Sequence, residues 1–369
     1  MERELERIKE REPQEDTYDR SIYFMQEMTK QREAGKVLLR ADEIPWRTSR
    51  QGYDKSYSGP VNWKELCMPW WYITRTNQQN YRRGKHTHRG GGRMLFCLEG
   101  RGRTINNDVN LDWEKGDLEL LPVTRTENVH EHFNLDMGQP CGLLVMMFWP
   151  FMEATANETR QMTDSPEWKG ERKAELYRPD NFVPASSFVG GYNIEFDRQK
   201  PTTLLDNLFL RRNQWRDNMT RARWICKAKD ATLETNRNGT YLWYVHPSFD
   251  DVAMKQALFW VHEIPAGSRS GKQKFQGGRF HFVLEGHGYS ILNGKKYEWG
   301  PEDVLLTPIA SGGVEAQHFN TDPKNPARIA CAEPNWYDIL GMDMACGFEQ
   351  IEDCPEWTAL QAKPAARKR

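Results

Sequence analysis

Short runs of apolar residues, divided by glycine, asparagine, aspartate and proline, make up much of residues 36–150. The runs are WWYIT at 70–74, RMLFCLEG at 93–100, RTIN at 103–106, LDW at 111–113, DLELLP at 117–122 and GLLVMMFW at 142–149. A second series, from ALFWVHEI at 257–264 to ARIACAEP at 327–334, repeats this arrangement within residues 223–350. Closely spaced short strands with turn residues between them are typical of a β-sandwich or barrel. The pattern therefore predicts two all-β units in one chain.

Three segments outside these units have a different pattern. Residues 1–35 are rich in Glu, Arg, Lys and Gln, which predicts a helical N-terminal arm that Pro13 interrupts. Residues 151–222 are polar and carry apolar residues at helical spacing in LLDNLFLRRNQW, which predicts a helical and irregular linker. Residues 351–369 end in the basic stretch ALQAKPAARKR, and we expect a flexible tail there.

The two β units are copies of one another. GGRMLFCLEGRG at 91–102 aligns with GGRFHFVLEGHG at 277–288, and the alignment continues without a gap to residues 134 and 320. It pairs Trp113 with Trp299, Asp117 with Asp303, Pro122 with Pro308 and His132 with His318. The aligned segments begin at residues 91 and 277, so the repeat is far longer than a solenoid unit, and the sequence predicts a duplicated domain.

Histidines distinguish the two copies. The first copy carries His86 and His88 before its glycine run and His130 after it. With one extra residue in the glycine run at 90–92, the corresponding positions in the second copy are Gln273, Phe275 and Ala316. If the gap is placed earlier, His86 and His88 correspond to Lys272 and Lys274. In either alignment the second copy lacks all three histidines, which indicates that they serve one purpose.

The three histidines have the spacing of a metal site. Side chains alternate along a strand, so both imidazoles of a His-x-His pair project to one face. A third histidine from a neighbouring strand completes a ligand set, and either His130 or His132 can supply it. Because His132 has a counterpart in the copy without the other histidines, we predict His86, His88 and His130 as the ligands. Ordinary surface histidines are the alternative interpretation.

Several motifs resemble the cupin superfamily, and their presence in two copies resembles a bicupin. They are Gly84-Lys85-His86-Thr87-His88, a strand ending in Leu98-Glu99-Gly100, Gly116-Asp117 before Leu121-Pro122, and the late histidine. Most metal cupins place a glutamate after His-x-His, where this chain has Arg93. Three-histidine bicupins with an arginine nearby are similar to the gentisate, salicylate and 1-hydroxy-2-naphthoate dioxygenases. Their motif His-Asp-His-Gly-Asn resembles His130-Glu131-His132-Phe133-Asn134, in which Phe133 replaces the glycine.

This resemblance implies an all-β core of two cupin domains, each a double-stranded β-helix or jelly roll, at residues 36–150 and 223–350. It implies Fe(II) in the first domain and loss of the metal ligands in the second. It further implies a ring-cleaving dioxygenase that opens gentisate, salicylate or a substituted salicylate such as 5-nitrosalicylate. Cleavage would fall between the carboxyl- and hydroxyl-bearing carbons, with incorporation of O2. We also expect a homo-oligomer, either a dimer or a tetramer.

Four residues are predicted to act on the aromatic acid. Arg93 is expected to clamp the carboxylate or stabilise developing charge, because guanidinium binds such groups bidentately. A salt bridge at the strand end is the alternative, since Arg279 holds the same place in the second copy. His132 is predicted to be catalytic, through a hydrogen bond to the substrate or by orienting the site. Trp71 and Arg75, on the strand before His86, are predicted to contact the substrate, with core packing as the alternative for Trp71.

Two other functions stay open, namely a metal-binding bicupin of another enzyme class and a non-catalytic bicupin that binds a small molecule. The formal net charge of −1 offers no general attraction to nucleic acid, and no apolar run is long enough to span a membrane. Seven scattered cysteines in no paired motif favour free thiols in a reducing compartment. We therefore expect a cytoplasmic protein whose partners are a small aromatic acid and O2.

Overall fold

Antiparallel strands carry most of the regular structure of the chain. A computed structural model describes residues 16–78, 81–89, 92–122, 128–154, 158–172, 202–310, 312–340 and 348–362. In the first half of the chain the strands are β1 Leu38–Leu39, β2 Arg47–Ser49, β3 Gly52–Ser58, β4 Trp71–Asn77, β5 His86–Arg89, β6 Arg93–Glu99, β7 Arg101–Asn106, β8 Val109–Glu114, β9 Leu118–Leu121, β10 Asn128–Asn134, β11 Gly142–Phe148 and β12 Glu158–Gln161.

The second half contains a matching series of strands. They are β13 Ile225–Cys226, β14 Thr232–Asn236, β15 Gly239–Val245, β16 Ala257–Ile264, β17 Lys272–Phe275, β18 Phe280–Glu285, β19 Gly288–Leu292, β20 Lys295–Trp299, β21 Val304–Leu306, β22 Val314–Asn320, β23 Ala327–Pro334 and β24 Glu349–Glu352. The lengths of two to eight residues are ordinary for strands in globular proteins.

These strands form two sandwiches, each of one seven-stranded and one five-stranded sheet. In the first sandwich the orders are β13-β9-β6-β11-β4-β3-β2 and β12-β5-β10-β7-β8. In the second they are β1-β21-β18-β23-β16-β15-β14 and β20-β19-β22-β17-β24. The same order of equivalent strands in both sandwiches agrees with the predicted duplication.

The two sandwiches exchange their first strands. β1 pairs with β21 of the second sandwich, and β13 pairs with β9 of the first. The aspartates conserved between the copies hold both exchanged segments: Asp303 accepts from the backbone N–H of Ala41 at 2.8 Å, and Asp117 accepts from that of Ala228 at 2.9 Å. Each half therefore supplies a strand to a sheet of the other half.

The large core lies where the two seven-stranded sheets face each other. Ring pairs cross this interface between Tyr57 and Phe282 at 5.9 Å, Trp71 and Phe280 at 5.0 Å, and Phe96 and Phe259 at 5.3 Å. A separate apolar cluster fills the inside of the first sandwich, formed by Leu95, Cys97, Trp113, Leu121, Cys141 and Leu143. β6 and β11 lie between these two cores, which explains why both faces of these strands are apolar.

Five α-helices flank the sandwiches within the described residues. They are α1 Thr17–Ala34, α2 Trp149–Ala154, α3 Leu204–Arg221, α4 Tyr337–Leu340 and α5 Pro355–Gln361. Asp16 caps the N-terminus of α1 through the backbone N–H of Tyr18, and a capping box of Thr203 and Asp206 begins α3. The arm and the linker therefore contain the predicted helices, while residues 1–15 and 173–201 lie outside the described residues.

Two predictions about the flanking segments are wrong. The linker was expected to begin at residue 151, but β12 lies within that range and pairs with β5 of the first sandwich. The tail was expected to be flexible from residue 351, but β24 extends to Glu352 and α5 follows it, with Cys354 Sγ accepting from the backbone N–H of Trp357. Both segments are ordered because each completes the edge of a five-stranded sheet. The other domain boundaries stay predictions.

The structure adds two facts about the surroundings of the chain. No helix of the described residues is both long and apolar enough to cross a membrane. The six cysteines within these residues are buried free thiols. The cytoplasmic location and the homo-oligomer stay predictions.

Candidate metal centre

Two neighbouring strands bring the three predicted ligands together inside the first sandwich. β5 and β10 are antiparallel partners, and their register places His86 directly opposite His130. His88 lies two residues along β5 and projects to the same face, as strand alternation requires. The ring centroids are 4.2 Å apart for His86 and His130, 4.6 Å for His86 and His88, and 5.2 Å for His88 and His130.

A hydrogen bond at Nδ1 orients each of these imidazoles. The Nδ1 atoms lie 2.9 Å from the carbonyl oxygen of Gly84 for His86, 3.0 Å from Thr159 Oγ1 for His88, and 2.9 Å from the carbonyl oxygen of Asn128 for His130. These contacts leave the Nε2 atom of each ring available. Fixing the ring through its other nitrogen is the usual arrangement around metal-bound histidines.

Burial keeps the three imidazoles neutral. Burial lowers the pKa of His86 to about 3, and it also holds the pKa values of His88 and His130 well below 6.5. Neutral imidazole is the form that binds metals. One ligand atom from each histidine lies within 4.8 Å of the others, so the donor set fits a divalent transition-metal ion.

The second sandwich has the same backbone register without the ligands. Gln273 on β17 lies opposite Ala316 on β22, just as His86 lies opposite His130. This confirms the alignment that pairs His86 with Gln273, and it excludes the one that pairs His86 with Lys272. Gln273 accepts a hydrogen bond from Arg279 Nη1 at 3.1 Å and donates one to Gln350 Oε1 at 3.0 Å.

A cavity of about 230 Å³ opens beside the three histidines. Its walls combine a few polar groups with many apolar side chains, the composition expected of a small-molecule site. The residues that line it include His132, Arg93, Tyr72, Thr74, Met147, Trp149 and Met152. The cavity leaves unfilled space beside the histidines.

Arg93 enters this cavity without a carboxylate partner among the described residues. The side chain is buried, with 8% of its surface exposed, and its guanidinium contacts Met152 Sδ at 3.9 Å. Burial lowers its pKa to about 9. Arg279, the equivalent residue, forms an ion pair with Glu333 at 2.7 Å. Burial opposes the charge of Arg279, but Glu333 together with Tyr241 and Tyr337 raises its pKa.

The ion pair of the second sandwich is missing from the first because one residue differs. Met146 pairs with Met94 as Ala332 pairs with Phe280, so Met147 is the counterpart of Glu333. The first sandwich therefore keeps the buried arginine and replaces its counter-ion by a thioether. The alternative interpretation of Arg93 as a strand-end salt bridge finds no support within the described residues.

Comparison with known proteins finds a likeness only among solved structures. No family model matches the sequence, and no curated protein is similar to it. Salicylate 1,2-dioxygenase from Pseudoaminobacter salicylatoxidans, in a structure with gentisate adducts, is 16% identical, with 90% of this chain and 94% of that chain covered and a TM-score of 0.52. A deletion mutant of oxalate decarboxylase from Bacillus subtilis is 10% identical, with 89% and 82% covered and a TM-score of 0.54.

The coverage of both halves in one superposition decides the architecture. The chain has the bicupin fold. The predicted fold class, two cupin domains with an all-β core, is thereby confirmed. At these identities the likeness extends to the fold alone, so the chemistry of this bicupin has to be argued from its own residues.

Two substrate contacts predicted for this bicupin are wrong. Trp71 is fully buried between the two seven-stranded sheets, where its Nε1 donates to the carbonyl oxygen of Gly278 at 3.0 Å. Arg75 projects to the same side and forms ion pairs with Glu302 at 2.5 Å and Glu99 at 3.1 Å. Odd-numbered residues of β4 face the other cupin domain, whereas Tyr72, Thr74 and Thr76 face the cavity.

Several residues that line the cavity were not predicted from the sequence, and three of them are Tyr72, Arg83 and Met147. Tyr72 supplies the aromatic wall that was assigned to its neighbour Trp71. Arg83 is buried at the cavity and donates to Asp54 Oδ1 at 2.6 Å, so its charge is compensated. Met147 could have been found by extending the alignment of the copies to β11 and β23, which sets it against Glu333.

His132 lies beside the three-histidine group and lines the same cavity. Its ring centroid is 5.3 Å from that of His130, and its Nδ1 lies 2.7 Å from Thr104 Oγ1. His318 makes the same contact with Ser290 Oγ at 2.6 Å. His132 and His318 therefore make the same hydrogen-bond contact, although only His132 lies beside the three-histidine group.

Buried histidines make the folded bicupin sensitive to acid. Burial lowers the pKa of eight histidines below 6.5: His86, His88, His130, His132, His246, His262, His281 and His318. Below this pH the unfolded chain takes up protons that the folded chain does not. The free energy of unfolding should therefore fall as the pH drops from about 6.5 towards 3. Burial raises the pKa of Glu119, so the folded chain holds one proton there that the unfolded chain releases, and this residue opposes the trend.

Urea unfolding of the metal-free full chain at pH 7.5, 6.0 and 5.0 measures this effect. His281→Leu is the matched variant, because Leu95 occupies the equivalent position in the first sandwich. This variant should lose less stability between pH 6.0 and 5.0 than the unmodified chain. A midpoint that stays constant from pH 7.5 to 5.0 would contradict the prediction.

Proposed function

We propose that this bicupin is a Fe(II)-dependent dioxygenase that opens the ring of an ortho-hydroxybenzoate. The substrates are gentisate, salicylate or a substituted salicylate, cleaved between the carboxyl- and hydroxyl-bearing carbons. Both atoms of O2 enter the product, and the ring supplies the four electrons that reduce O2, so no further reductant is consumed. The observation that carries the proposal is a buried arginine, next to three neutral histidines, for which the described residues supply no counter-ion.

The uncompensated charge of Arg93 favours an anionic ligand. Removing an ion from water costs several kcal/mol unless a partner of opposite charge offsets the loss. In the second sandwich Glu333 provides that partner for Arg279. In the first sandwich a carboxylate from a ligand can take the equivalent place beside Met147. Guanidinium binds a carboxylate through two parallel hydrogen bonds, which would orient the acid as well as hold it.

The walls of the cavity favour an aromatic acid over a small hydrophilic one. Tyr72 and Trp149 contribute rings, and further apolar surface comes from Leu95, Leu121, Leu143, Val145, Met147 and Met152. Burying apolar ligand surface against such walls contributes roughly 25 cal/mol per Å². A single aromatic ring carrying one carboxylate satisfies both the walls and Arg93.

Three chain residues would hold the metal, and the others would hold the substrate. His86, His88 and His130 offer Nε2 atoms to Fe(II), and their neutral rings leave the full positive charge on the ion. When bound, Fe(II) supplies open positions for the substrate oxygens and O2 and a path for electrons between them. Arg93 would orient the carboxylate towards these positions, Tyr72 and Trp149 would fix the ring plane, and His132 would hydrogen-bond a substrate oxygen.

A second candidate is a metal-dependent bicupin of another class that acts on a small carboxylic acid. The structural likeness to oxalate decarboxylase, at a TM-score of 0.54, is as strong as the likeness to salicylate 1,2-dioxygenase. Arg93 would bind the carboxylate of any small acid. The apolar walls favour the aromatic substrate, since oxalate would leave them without contacts.

Oxygen uptake by the Fe(II)-reconstituted full chain tests the proposal. We expect uptake and a ring-opened ultraviolet spectrum with at least one of salicylate, gentisate, 5-nitrosalicylate and 1-hydroxy-2-naphthoate. His287→Ala, a change of an exposed histidine outside the cavity, should leave the rate unaltered. No uptake across this panel with stoichiometric iron bound would contradict the dioxygenase. Release of CO2 from oxalate by the Mn(II)-loaded chain would favour the second candidate.

A further inference from the structure

A buried carboxyl group lies next to His132, beside the candidate metal centre. Glu119 on β9 is fully buried, and its Oε2 lies 2.7 Å from Thr104 Oγ1. The same hydroxyl lies 2.7 Å from His132 Nδ1 and accepts from Trp113 Nε1 at 3.0 Å. Glu119 Oε1 has no hydrogen-bond partner within the described residues. Glu119 is therefore connected to the cavity by one hydroxyl group and one imidazole.

The second sandwich contains the same network without the acid. Ser290 Oγ lies 2.6 Å from His318 Nδ1 and accepts from Trp299 Nε1 at 2.9 Å. Leu305 pairs with His281 as Glu119 pairs with Leu95, so leucine takes the place of the acid. The histidine, hydroxyl and indole thus form without a carboxyl group. An acid buried only in the copy with the three histidines, at a cost in desolvation, points to a role in that copy.

Glu119 Oε1 has no hydrogen-bond partner within the described residues, so a proton on Glu119 finds an acceptor only from Oε2. With that proton on Oε2 or absent, the hydroxyl of Thr104 can serve its three partners in two ways. It has one hydrogen to donate and two lone pairs to accept with, and the Trp113 N–H always occupies one lone pair. If Glu119 is protonated, its O–H occupies the second lone pair, and Thr104 must donate to His132 Nδ1. If Glu119 is ionised, Thr104 donates to the carboxylate, and His132 Nδ1 must carry the hydrogen. His132 stays neutral in both states, but its hydrogen is on a different nitrogen.

We propose that protonated Glu119 is a positioning residue that acts through Thr104 to fix the hydrogen of neutral His132 on Nε2, so that the cavity receives a hydrogen-bond donor. In the second sandwich no acid selects the direction of the Ser290 hydroxyl, and His318 has no imposed tautomer. The difference between the two copies is one residue, Glu119 against Leu305.

The surroundings of Glu119 keep the proton on it at neutral pH. Burial raises its pKa to about 8, although the hydrogen bond from Thr104 opposes the shift. His132 Nδ1 on β10 lies 3.9 Å from Glu119 Oε2. Glu119 pairs with Leu95 on β6, so Arg93 and Cys97 lie two residues to either side of its partner. On its other side it pairs with Ile225 on β13, which Arg223 and Lys227 flank in the same way, and Lys227 forms an ion pair with Asp117 at 2.6 Å. Thr104 on β7 and Trp113 on β8 carry no charge. As the pH rises through about 8, Glu119 ionises and Nε2 of His132 changes from donor to acceptor.

The expected effect on substrate binding rests on the proposed function, whereas the expected tautomer of His132 does not. A donor at Nε2 matches the carboxylate or hydroxyl oxygens of an ortho-hydroxybenzoate. Loss of one such hydrogen bond corresponds to roughly tenfold weaker binding. We therefore expect salicylate to bind the Glu119→Leu variant of the Zn(II)-loaded chain about tenfold more weakly at pH 6.5, with Glu119→Gln close to the unmodified protein.

Nitrogen-15 spectra of histidine-labelled full chain, metal-free and loaded with diamagnetic Zn(II), test the tautomer directly. His132→Gln assigns the signals of His132 by their disappearance. In the unmodified chain, His132 should carry its hydrogen on Nε2 at pH 6.5 and shift to Nδ1 between pH 7 and 9. Glu119→Gln should keep Nε2–H at every pH, because its amide donates to Thr104 and does not ionise. Glu119→Leu should show mixed tautomers independent of pH.

His318 provides an internal control in the same spectra, and its signals should be the same in all variants. An unchanged His132 tautomer from pH 6.5 to 9.5, or identical His132 signals in the unmodified and Glu119→Leu chains, would overturn the proposal. If Glu119→Leu fails to fold, the pH series of the unmodified chain against Glu119→Gln decides alone. Because these spectra need no turnover, a failure of the dioxygenase assay leaves the tautomer result standing, and the reverse also holds.

Discussion

His130→Ala should remove iron binding and with it all measurable oxygen uptake. The three histidines lie on β5 and β10 with one ligand atom each within 4.8 Å, so loss of one leaves only two donors for the ion. Mutating residues that merely support a metal ligand costs 10–100-fold in affinity or activity. Removing a ligand itself should cost at least about 10³-fold in activity. Iron content after desalting and the initial rate of oxygen uptake measure the two losses.

Two matched variants separate the metal ligands from other cavity residues. Gln273→Ala changes the position equivalent to His86 in the second sandwich, and iron content should stay at one per chain. His132→Gln should also retain iron, because His132 Nδ1 contacts Thr104 and the three-histidine group does not include it. Full iron content in His130→Ala, or iron loss in His132→Gln, would show that the third ligand is assigned to the wrong histidine.

Met147→Glu should abolish binding of aromatic acids while leaving the metal in place. The change gives Arg93 the counter-ion that Glu333 provides for Arg279, where the two groups lie 2.7 Å apart. An internal ion pair would satisfy the guanidinium and repel an incoming carboxylate. Removing one partner of a buried charge pair costs about 2–5 kcal/mol, so we expect salicylate affinity to fall on the order of 10²–10³-fold. Titration of salicylate followed by the fluorescence of the chain measures this affinity.

Two further variants give this prediction its controls. Met147→Gln is similar in size to glutamate and carries no charge, so salicylate affinity should change by less than about tenfold. Arg93→Met should lose as much affinity as Met147→Glu, since both remove the free guanidinium. Iron content should stay at one per chain in all three. Unaltered salicylate binding in Met147→Glu would exclude Arg93 as the carboxylate site.

Local patterns carried the prediction of the fold and of the three-histidine group. Alternation of apolar and polar residues is a property of single strands, and it identified the strands of both copies. His-x-His on one strand constrains both side chains to one face, whatever the rest of the fold does. The ungapped repeat then supplied an internal comparison, in which loss of three histidines at once marked them as a group. Each of these inferences needs only neighbours in the sequence or its duplicate.

Predictions that required a choice between two buried faces were wrong. Each face of β4 carries one large aromatic ring and at least one polar residue, so the sequence does not show that Trp71 faces the other domain and Tyr72 faces the cavity. The role of Arg75 failed for the same reason, since its partner Glu302 is more than two hundred residues away in the chain. The reach of the ordered C-terminal segment was also missed, because β24 is held by pairing with β17 rather than by its own propensity.

The sequence alone determined that this protein has two related β units and that one of them carries three histidines with the spacing of metal ligands. Periodicity and duplication are written in one dimension, so they can be read without coordinates. Only the tertiary structure decided which residues surround that set. It placed a thioether where Arg279 has a carboxylate, and it brought Glu119 through Thr104 to His132. Pairing between strands that are distant in the sequence creates these contacts. The burial of these side chains and the compensation of their charges arise only when the chain folds.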